Sequence, residues 1–528
     1  MSSKPILDLV AHSFDASICA SFAELFKYQF ILSKTPVVSA DSWPVRPVGP
    51  WILSHCPLLR TTIVLDKHGN DVGAFIGIGI DGEGNAVSGA LSIDASQGSS
   101  KFWSVVERQI ATIAGRYALV VVSGNATRMY FDNALDQSVV FNPSENLVAS
   151  SVTLAARGPL QDNPHFDCDA ILTSDRYFAF EHTRDQRVMR ARPNHFLDLD
   201  SFRLTRHWPS QDTAFDASRT ERAEVIEEIE TRLKVIVKGL IRNFDCCLPL
   251  SGGKDSRLLL SFAKDDLVDL SRIFTHATNH NTLVDAYIAS KLCQRLDVAH
   301  QVINTRGDDH ADQATDALTS QRFIKTAYRT GFQSGTRDPR AGLADALSPK
   351  HEVLLRGNLL GLIGAQQYVR PMLNQPFSIH FALSRLRITP EVTNETILKW
   401  GPRYFDWMRT LPLNAHDRIY DMAFTELVQP HALGALLSGS VNSFYVNPFN
   451  DRSLLHNAMR LRPRFRHTER VYQVLQDLAA PEFRDIPFTT NLKRGVMREL
   501  GKSPDWDVLK DYPLEKLLYV RRPKASVN

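Results

Sequence analysis

The 528-residue chain is short of the features that mark secreted, membrane-borne or nucleic-acid-coating proteins. Its cysteines, Cys19, Cys56, Cys168, Cys246, Cys247 and Cys293, are too few and too scattered for a disulfide framework, so a reducing compartment is expected. Cys246 and Cys247 are neighbours in an apolar run, where adjacent side chains point to opposite strand faces; core packing is expected of both. No stretch reaches the roughly 18 consecutive apolar residues of a membrane span, and MSSKPILDLVAHSF lacks a basic start followed by an apolar core. A soluble, cytoplasmic protein is the expectation. Neither sign of charge is in excess: Lys plus Arg is 61 and Asp plus Glu is 58, a net of +3, which gives no general pull toward nucleic acid or an anionic membrane. Neither CxxC nor HExxH occurs, and His276 and His280, although four apart, straddle an expected strand end, so zinc is not expected. With 43% hydrophobic and 23% charged residues the composition is globular, which excludes a disordered, collagenous or coiled-coil chain.

At about one domain per 150 residues the length allows roughly two to four units. Up to about residue 210 the pattern is β-like, with runs such as TTIVLD (61–66), GAFIGIGID (73–81), YALVVVSG (117–124) and TRMYFD (127–132). The polar stretch from Asp200 to Ser218 reads as a linker. Beyond it Ile226, Ile229, Leu233, Ile236 and Leu240 recur at helical steps and predict one apolar helix face. An alternating series follows: FDCCLPL (244–250) as a buried strand, SGGKDSRLLLSFAK as a turn opening a helix, RIFTHA (272–277) as a strand, a helix carrying Val284, Ile288, Leu292 and Leu296, then strands near 300–303 and 352–355. This order predicts a parallel sheet with crossover helices, an α/β fold, and the remainder reads as mostly helical with a basic tail at Arg521, Arg522 and Lys524. The expected division is 1–212 and 213–528.

The informative segment is Ser251-Gly252-Gly253-Lys254-Asp255-Ser256, where a buried strand hands over to a helix. Open parallel sheets bind ligands at that edge. Two glycines let backbone amides approach an anion, the helix adds its positive end, and Ser251 and Ser256 add hydroxyls. Asp255 would repel a bare phosphate, so a bridging Mg2+ is expected on it. The spacing is not that of a Walker A loop.

The segment resembles the S-G-G-x-D-S pyrophosphate loop (PP-loop) of the ATP pyrophosphatases, here followed by Arg257, and the chain as a whole resembles the asparagine synthetase family. GRYALVVV (115–122), the Asp132 region and LVASSVTLAA (147–156) resemble that family's amidotransferase-like domain. The stretch 177–200 with Arg192, Pro193, Asn194 and then Arg206, His207, Trp208 resembles its joining segment, and NPFNDRSLLHNAMRLRP (447–463) resembles its P-F-L-D-R helix start. Lys493-Arg494-Gly495 is similar to the segment that carries a catalytic lysine. The resemblance implies an N-terminal β-rich, Ntn-type αββα domain and a C-terminal ATP-pyrophosphatase domain with a helical extension.

Three departures limit what it implies. Glutaminase members carry Cys after the initiator Met, whereas this chain has Ser2 and no Cys before Cys19, so a non-hydrolytic first domain is expected. Around Gly357 the family's second acidic metal motif is replaced by Arg356-Gly357-Asn358, with the acidic loop at Asp308, Asp309, His310 and Asp312 as one alternative source of a ligand. Asn442 stands where an acid that meets the acceptor amine is expected. Members without the glutaminase cysteine include beta-lactam synthetases and lasso peptide cyclases. The implied activity is amide-bond formation through acyl-AMP with release of pyrophosphate, using ATP and Mg2+, on a small-molecule or peptide substrate. ATP is expected against Leu250, Phe274, His276 and Gly357 as well as the loop, with Lys254 or Lys493 balancing pyrophosphate charge. The amine's proton acceptor is expected among Tyr368, Glu426 and Lys493. Amidation with ammonia in glycan or natural-product biosynthesis, and a degenerate nucleotide-binding scaffold, are the alternatives; a pathway partner protein or a homodimer is left open.

Overall fold

The computed structural model describes residues 22–37, 43–172, 174–305, 330–331, 348, 350–439, 442–489, 492, 506 and 510–513. It is a mixed α/β structure with antiparallel and parallel sheets.

The antiparallel strands form two sheets. One has six strands in the order Met189–Arg190, Val140–Asn142, Leu147–Ala149, Phe30–Ser33, Trp51–His55 and Val45–Val48. The other has seven, in the order Arg203–Arg206, His195–Asp198, Ala126–Phe131, Ala114–Ser123, Asp71–Ile80, Thr61–Leu65 and Ala90–Ser92, the last pair parallel. Alternation places Ala74, Ile76, Ile78, Ala118 and Val120 in a core shared with Ile31 and Leu53 of the first sheet. Phe75, Tyr117, Leu119 and Val121 turn the other way, onto Phe102, Val106 and Ile110 of the helix Phe102–Ile110. The strand 114–123 is therefore buried on both faces, and this is why its sequence is an unbroken run without an exposed side.

One expectation is corrected here. The stretch read as a linker contains the edge strand Arg203–Arg206, paired with His195–Asp198, and goes on to bury Phe215 and Ala217. A half-exposed edge strand of alternating polar residues carries too little apolar signal to be recognised.

The helix Arg222–Asn243 buries Ile226, Ile229, Leu233, Ile236 and Leu240, as their spacing predicts. Its Gly239 lies so close to Gly84 that a Cβ there would sit 2.4 Å from the Gly84 carbonyl oxygen. Five strands then form the parallel sheet: β1 Cys246–Pro249, β2 Arg272–Ala277, β3 Gln301–Asn304, β4 Val353–Leu355 and β5 Phe444–Val446. Their order is β3-β2-β1-β4-β5 with every pair parallel. Cys246 faces the large core and Cys247 faces Phe274, Ile303 and Leu354, so the two thiols lie on opposite faces, and burial pushes both pKa values up. The fifth strand lies in the last third, which the sequence reads as mostly helical; three residues are too few to show a period. The same region holds two π-helical turns, Phe424–Val428 and Pro430–Gly434.

Candidate anion-binding site at the edge of the parallel sheet

Because β2 and β3 lie on one side of β1 and β4 and β5 on the other, the chain changes direction across the sheet between β1 and β4. The loops leaving those two strands flank the crevice where open parallel sheets take ligands. The first of them is Leu250 to Gly253. Leu250 is fixed at both ends, its amide donating to Phe274 O at 2.8 Å and its carbonyl accepting Thr275 Oγ1 at 2.6 Å. The chain turns at Ser251 and Gly252, and Gly253 is the N-cap of the helix Lys254–Ala263.

The two serines close the loop on itself. The Ser251 amide donates to Ser256 Oγ at 3.0 Å, the hydroxyls of Ser251 and Ser256 are 2.9 Å apart, and the Gly253 amide donates to Ser251 Oγ at 3.2 Å. The Gly252 amide donates to a carboxylate, Asp285 Oδ1, at 3.0 Å, and that oxygen also accepts Thr489 Oγ1 at 2.8 Å. A Cβ at 252 would lie 1.9 Å from Thr489 Oγ1 and 3.0 Å from Ile288 Cβ, so any larger residue there displaces Thr489. Arg257 explains how Thr489 is delivered. Buried one turn into the helix, its Nη1 and Nη2 donate to the carbonyls of Ile486 and Pro487, both at 2.6 Å, and its guanidinium lies 4.2 Å from the Phe488 ring centroid.

Asp255 occupies the first turn of that helix and points toward the second loop. A Cβ on Gly357, just after β4, would be 2.9 Å from Asp255 Cβ, so the two predicted site residues meet across the change of direction. Asp255 Oδ1 accepts the Tyr472 hydroxyl at 2.7 Å, and that hydroxyl also lies 2.6 Å from Leu360 O. Burial raises the Asp255 pKa, while the Tyr472 hydrogen bond and the Lys254 charge pull it back. Lys254 does not contact Asp255 in an ion pair; its ammonium pairs with Glu469. Phe274 is buried beside Cys247, and His276 Nε2 lies 2.7 Å from Ser348 Oγ at the end of β2.

Two predicted residues are occupied elsewhere. Glu426 is buried, bridged by Arg206 at 2.6 and 2.8 Å, and accepts Asn194 Nδ2 at 2.9 Å and Trp407 Nε1 at 2.8 Å; these donors pull its pKa down to about 2 against the cost of burial. The Tyr368 hydroxyl lies 3.4 Å from Asp421 Oδ2, inside a buried Asp421–Arg466 pair, and burial holds its proton far above the usual phenol range. None of these partners belongs to the loop. Asn442 precedes β5, at the amino edge of the parallel sheet and therefore opposite the loop, so its identity does not bear on acceptor chemistry there. Lys493, Arg494, Gly495 and the acidic loop at 308–312 lie outside the described residues.

Among the described residues no group of three or more His, Cys, Asp or Glu is placed to hold a metal ion. The donors gathered at the loop, Asp255, Ser251 and Ser256, are all oxygen, the donor type that fits Mg2+ completed by phosphate and water. Sequence reasoning missed Asp285, Tyr472 and Thr489. Only Asp285 left a signal: it is an acid beside Val284 in the helix His280–Arg295, whose start is marked by the reciprocal caps of Asn279 and Thr282. The chain matches no family model and no curated protein.

Proposed function

We propose that the chain is an ATP-dependent ligase of asparagine synthetase type that joins a carboxylate to an amine through an acyl-adenylate. The observation that carries this reading is the placement of Ser251–Ser256 at the change of direction between β1 and β4, with Asp255 against Gly357. In this reading residues 1–212 are an Ntn-type αββα amidotransferase-like domain without a hydrolytic role, and 213–528 are an ATP-pyrophosphatase domain with a helical extension. Stacked antiparallel sheets and the parallel order β3-β2-β1-β4-β5 support that division.

Ser251, Gly252, Gly253 and Ser256 would hold the β and γ phosphates, with Leu250, Phe274 and His276 beside the adenine. A substrate carboxylate oxygen bonds the α phosphorus as the α–β bridging bond breaks, and pyrophosphate leaves. Mg2+ on Asp255 would neutralise charge on that leaving group. Lys254 adds a cation at the mouth of the loop. An amine then bonds the acyl carbon, AMP leaves with the bonding pair, and the amine's proton passes to a base. Glu426, ionised within an ion pair, and Tyr368, which keeps its own proton, are poor acceptors, so Lys493 is the one of the three that this reading retains. The substrates are a small molecule or a peptide.

The test is product analysis with ATP, Mg2+ and a panel of carboxylates and amines. AMP and pyrophosphate that disappear in Asp255→Ala support the ligase; ADP and orthophosphate refute it. A nucleotide-binding scaffold is the second reading, favoured by Arg356 and Asn358 beside Gly357, where the ligase family has its second acidic motif. It predicts binding without AMP.

A further inference from the structure

The helix Lys254–Ala263 opens on two charged side chains, and one other helix, Arg470–Ala479, provides a partner for each. Tyr472, in the first turn of that helix, donates its hydroxyl to Asp255 Oδ1 at 2.7 Å. Glu469, its N-cap residue, pairs with the Lys254 ammonium, which also lies 5.9 Å from the Tyr472 ring centroid and 5.8 Å from that of Phe488. The cation at the mouth of the loop is therefore already neutralised, while the carboxylates of Asp255 and Asp285 stay at the loop. Such a field disfavours an entering anion until Lys254 is released.

Local structure gives no reason for a glutamate at 469. The backbone stands at φ +63°, in the left-handed region where a Cβ is unfavourable and glycine is favoured. The carboxylate makes no capping bond to the amides of its own helix. The side chain is 54% exposed, and an exposed ion pair contributes little to stability. Backbone held against local preference clusters at functional sites, and the contact that Glu469 makes is with the loop.

We propose that Glu469 is a built-in competitor for the anion of this site: it holds Lys254 as counter-ion before the ligand arrives and yields it to a phosphate oxygen. The inference rests on the reading of Ser251–Ser256 as a phosphate loop and adds a regulating residue to it. Binding is then an exchange of one counter-anion for another at a fixed ammonium. The reverse exchange helps pyrophosphate leave, because Glu469 retakes Lys254 as the product oxygen releases it. Glu469 acts through Lys254 and touches no reacting atom.

Calorimetric titration with inorganic pyrophosphate and Mg2+ at fixed ionic strength tests this in four full-length proteins: the unsubstituted chain, Glu469→Gln, Lys254→Met and the double variant. Glu469→Gln should bind about twofold to fivefold more tightly, the size of an exposed, screened pair, and Lys254→Met more weakly. In the Lys254→Met background the glutamine should change nothing, because the group it competed for is gone. Glu469→Gly, which suits the left-handed backbone, should give the same gain as Glu469→Gln, so the outcome does not hang on the folding of one variant. An equal gain with and without Lys254 would mean plain repulsion between Glu469 and the anion and would overturn the proposal, as would unchanged or weaker binding by both Glu469 variants. Pyrophosphate that binds none of the proteins refutes the phosphate-loop reading itself, and this inference with it.

Discussion

Two buried carboxylates, Glu426 at the junction of the antiparallel and helical parts and Asp255 at the sheet edge, are treated in opposite ways. Glu426 receives a two-pronged guanidinium, an amide and an indole N–H, and its proton affinity falls to about 2. Asp255 receives one phenol, the nearest ammonium being paired with Glu469, and its proton affinity rises. A carboxylate that serves the fold is compensated by the fold. One left short of positive charge, beside two glycines and a helix N-terminus, would under the proposed function meet a cation that arrives with its ligand.

The largest effect expected from this contrast is on the junction. Arg206→Met leaves Glu426 buried without its counter-charge and should cost about 3–5 kcal/mol in denaturant unfolding; adding Glu426→Gln should recover most of it. A loss below about 1 kcal/mol would show that Glu426 is compensated without Arg206.

Acid should separate the two carboxylates next. Glu426 has its folded pKa depressed from 4.5 to about 2, so its stabilisation is present above about 4.5 and is lost as pH falls toward 2. That shift corresponds to about 3 kcal/mol. Asp255 carries the opposite sign: with a raised folded pKa, its ionised form opposes folding, and acid relieves it. Stability curves of Glu426→Gln should therefore flatten between pH 5 and about 2, while those of Asp255→Asn should not.

Gly252→Ala drives a Cβ against Thr489 and should weaken pyrophosphate binding at least about tenfold while costing about 1–3 kcal/mol, because overpacking strains the loop. The smallest effect is expected of Asp285→Asn. Removing a negative charge that now caps the Gly252 amide should strengthen pyrophosphate binding by about threefold to tenfold, the range of a modest screened charge interaction; weaker binding would make Asp285 a ligand-holding group instead of a competitor.

Much of this was legible in the sequence, unevenly and for physical reasons. The strands at 61–65 and 272–277 and the helix at 222–243 declare themselves because burial of one or both faces imposes a period or an apolar run. The loop is legible because close approach of backbone needs glycine. The strand 444–446 is too short to show a period, and the edge strand 203–206 is too polar. Site membership of Asp285 and Tyr472 depends on contacts 33 and 217 residues apart in sequence, which no local pattern encodes. Glu426 and Tyr368 illustrate the converse error: the residue type fits a proton acceptor, and only the surroundings show that the proton is already committed.

If the loop and Asp255 form the proposed Mg2+-nucleotide site, the ligand needs that carboxylate and the fold does not. Calorimetric titration of the full chain with ATP and Mg2+, for the unsubstituted protein and Asp255→Asn, tests it directly when paired with denaturant unfolding of both. Saturable, Mg2+-dependent binding is expected, weakening more than about tenfold in Asp255→Asn while stability changes by less than about 1 kcal/mol, a buried charge having been exchanged for a neutral isostere. Equal ATP binding by the two proteins, or a variant that loses several kcal/mol of stability, would contradict it.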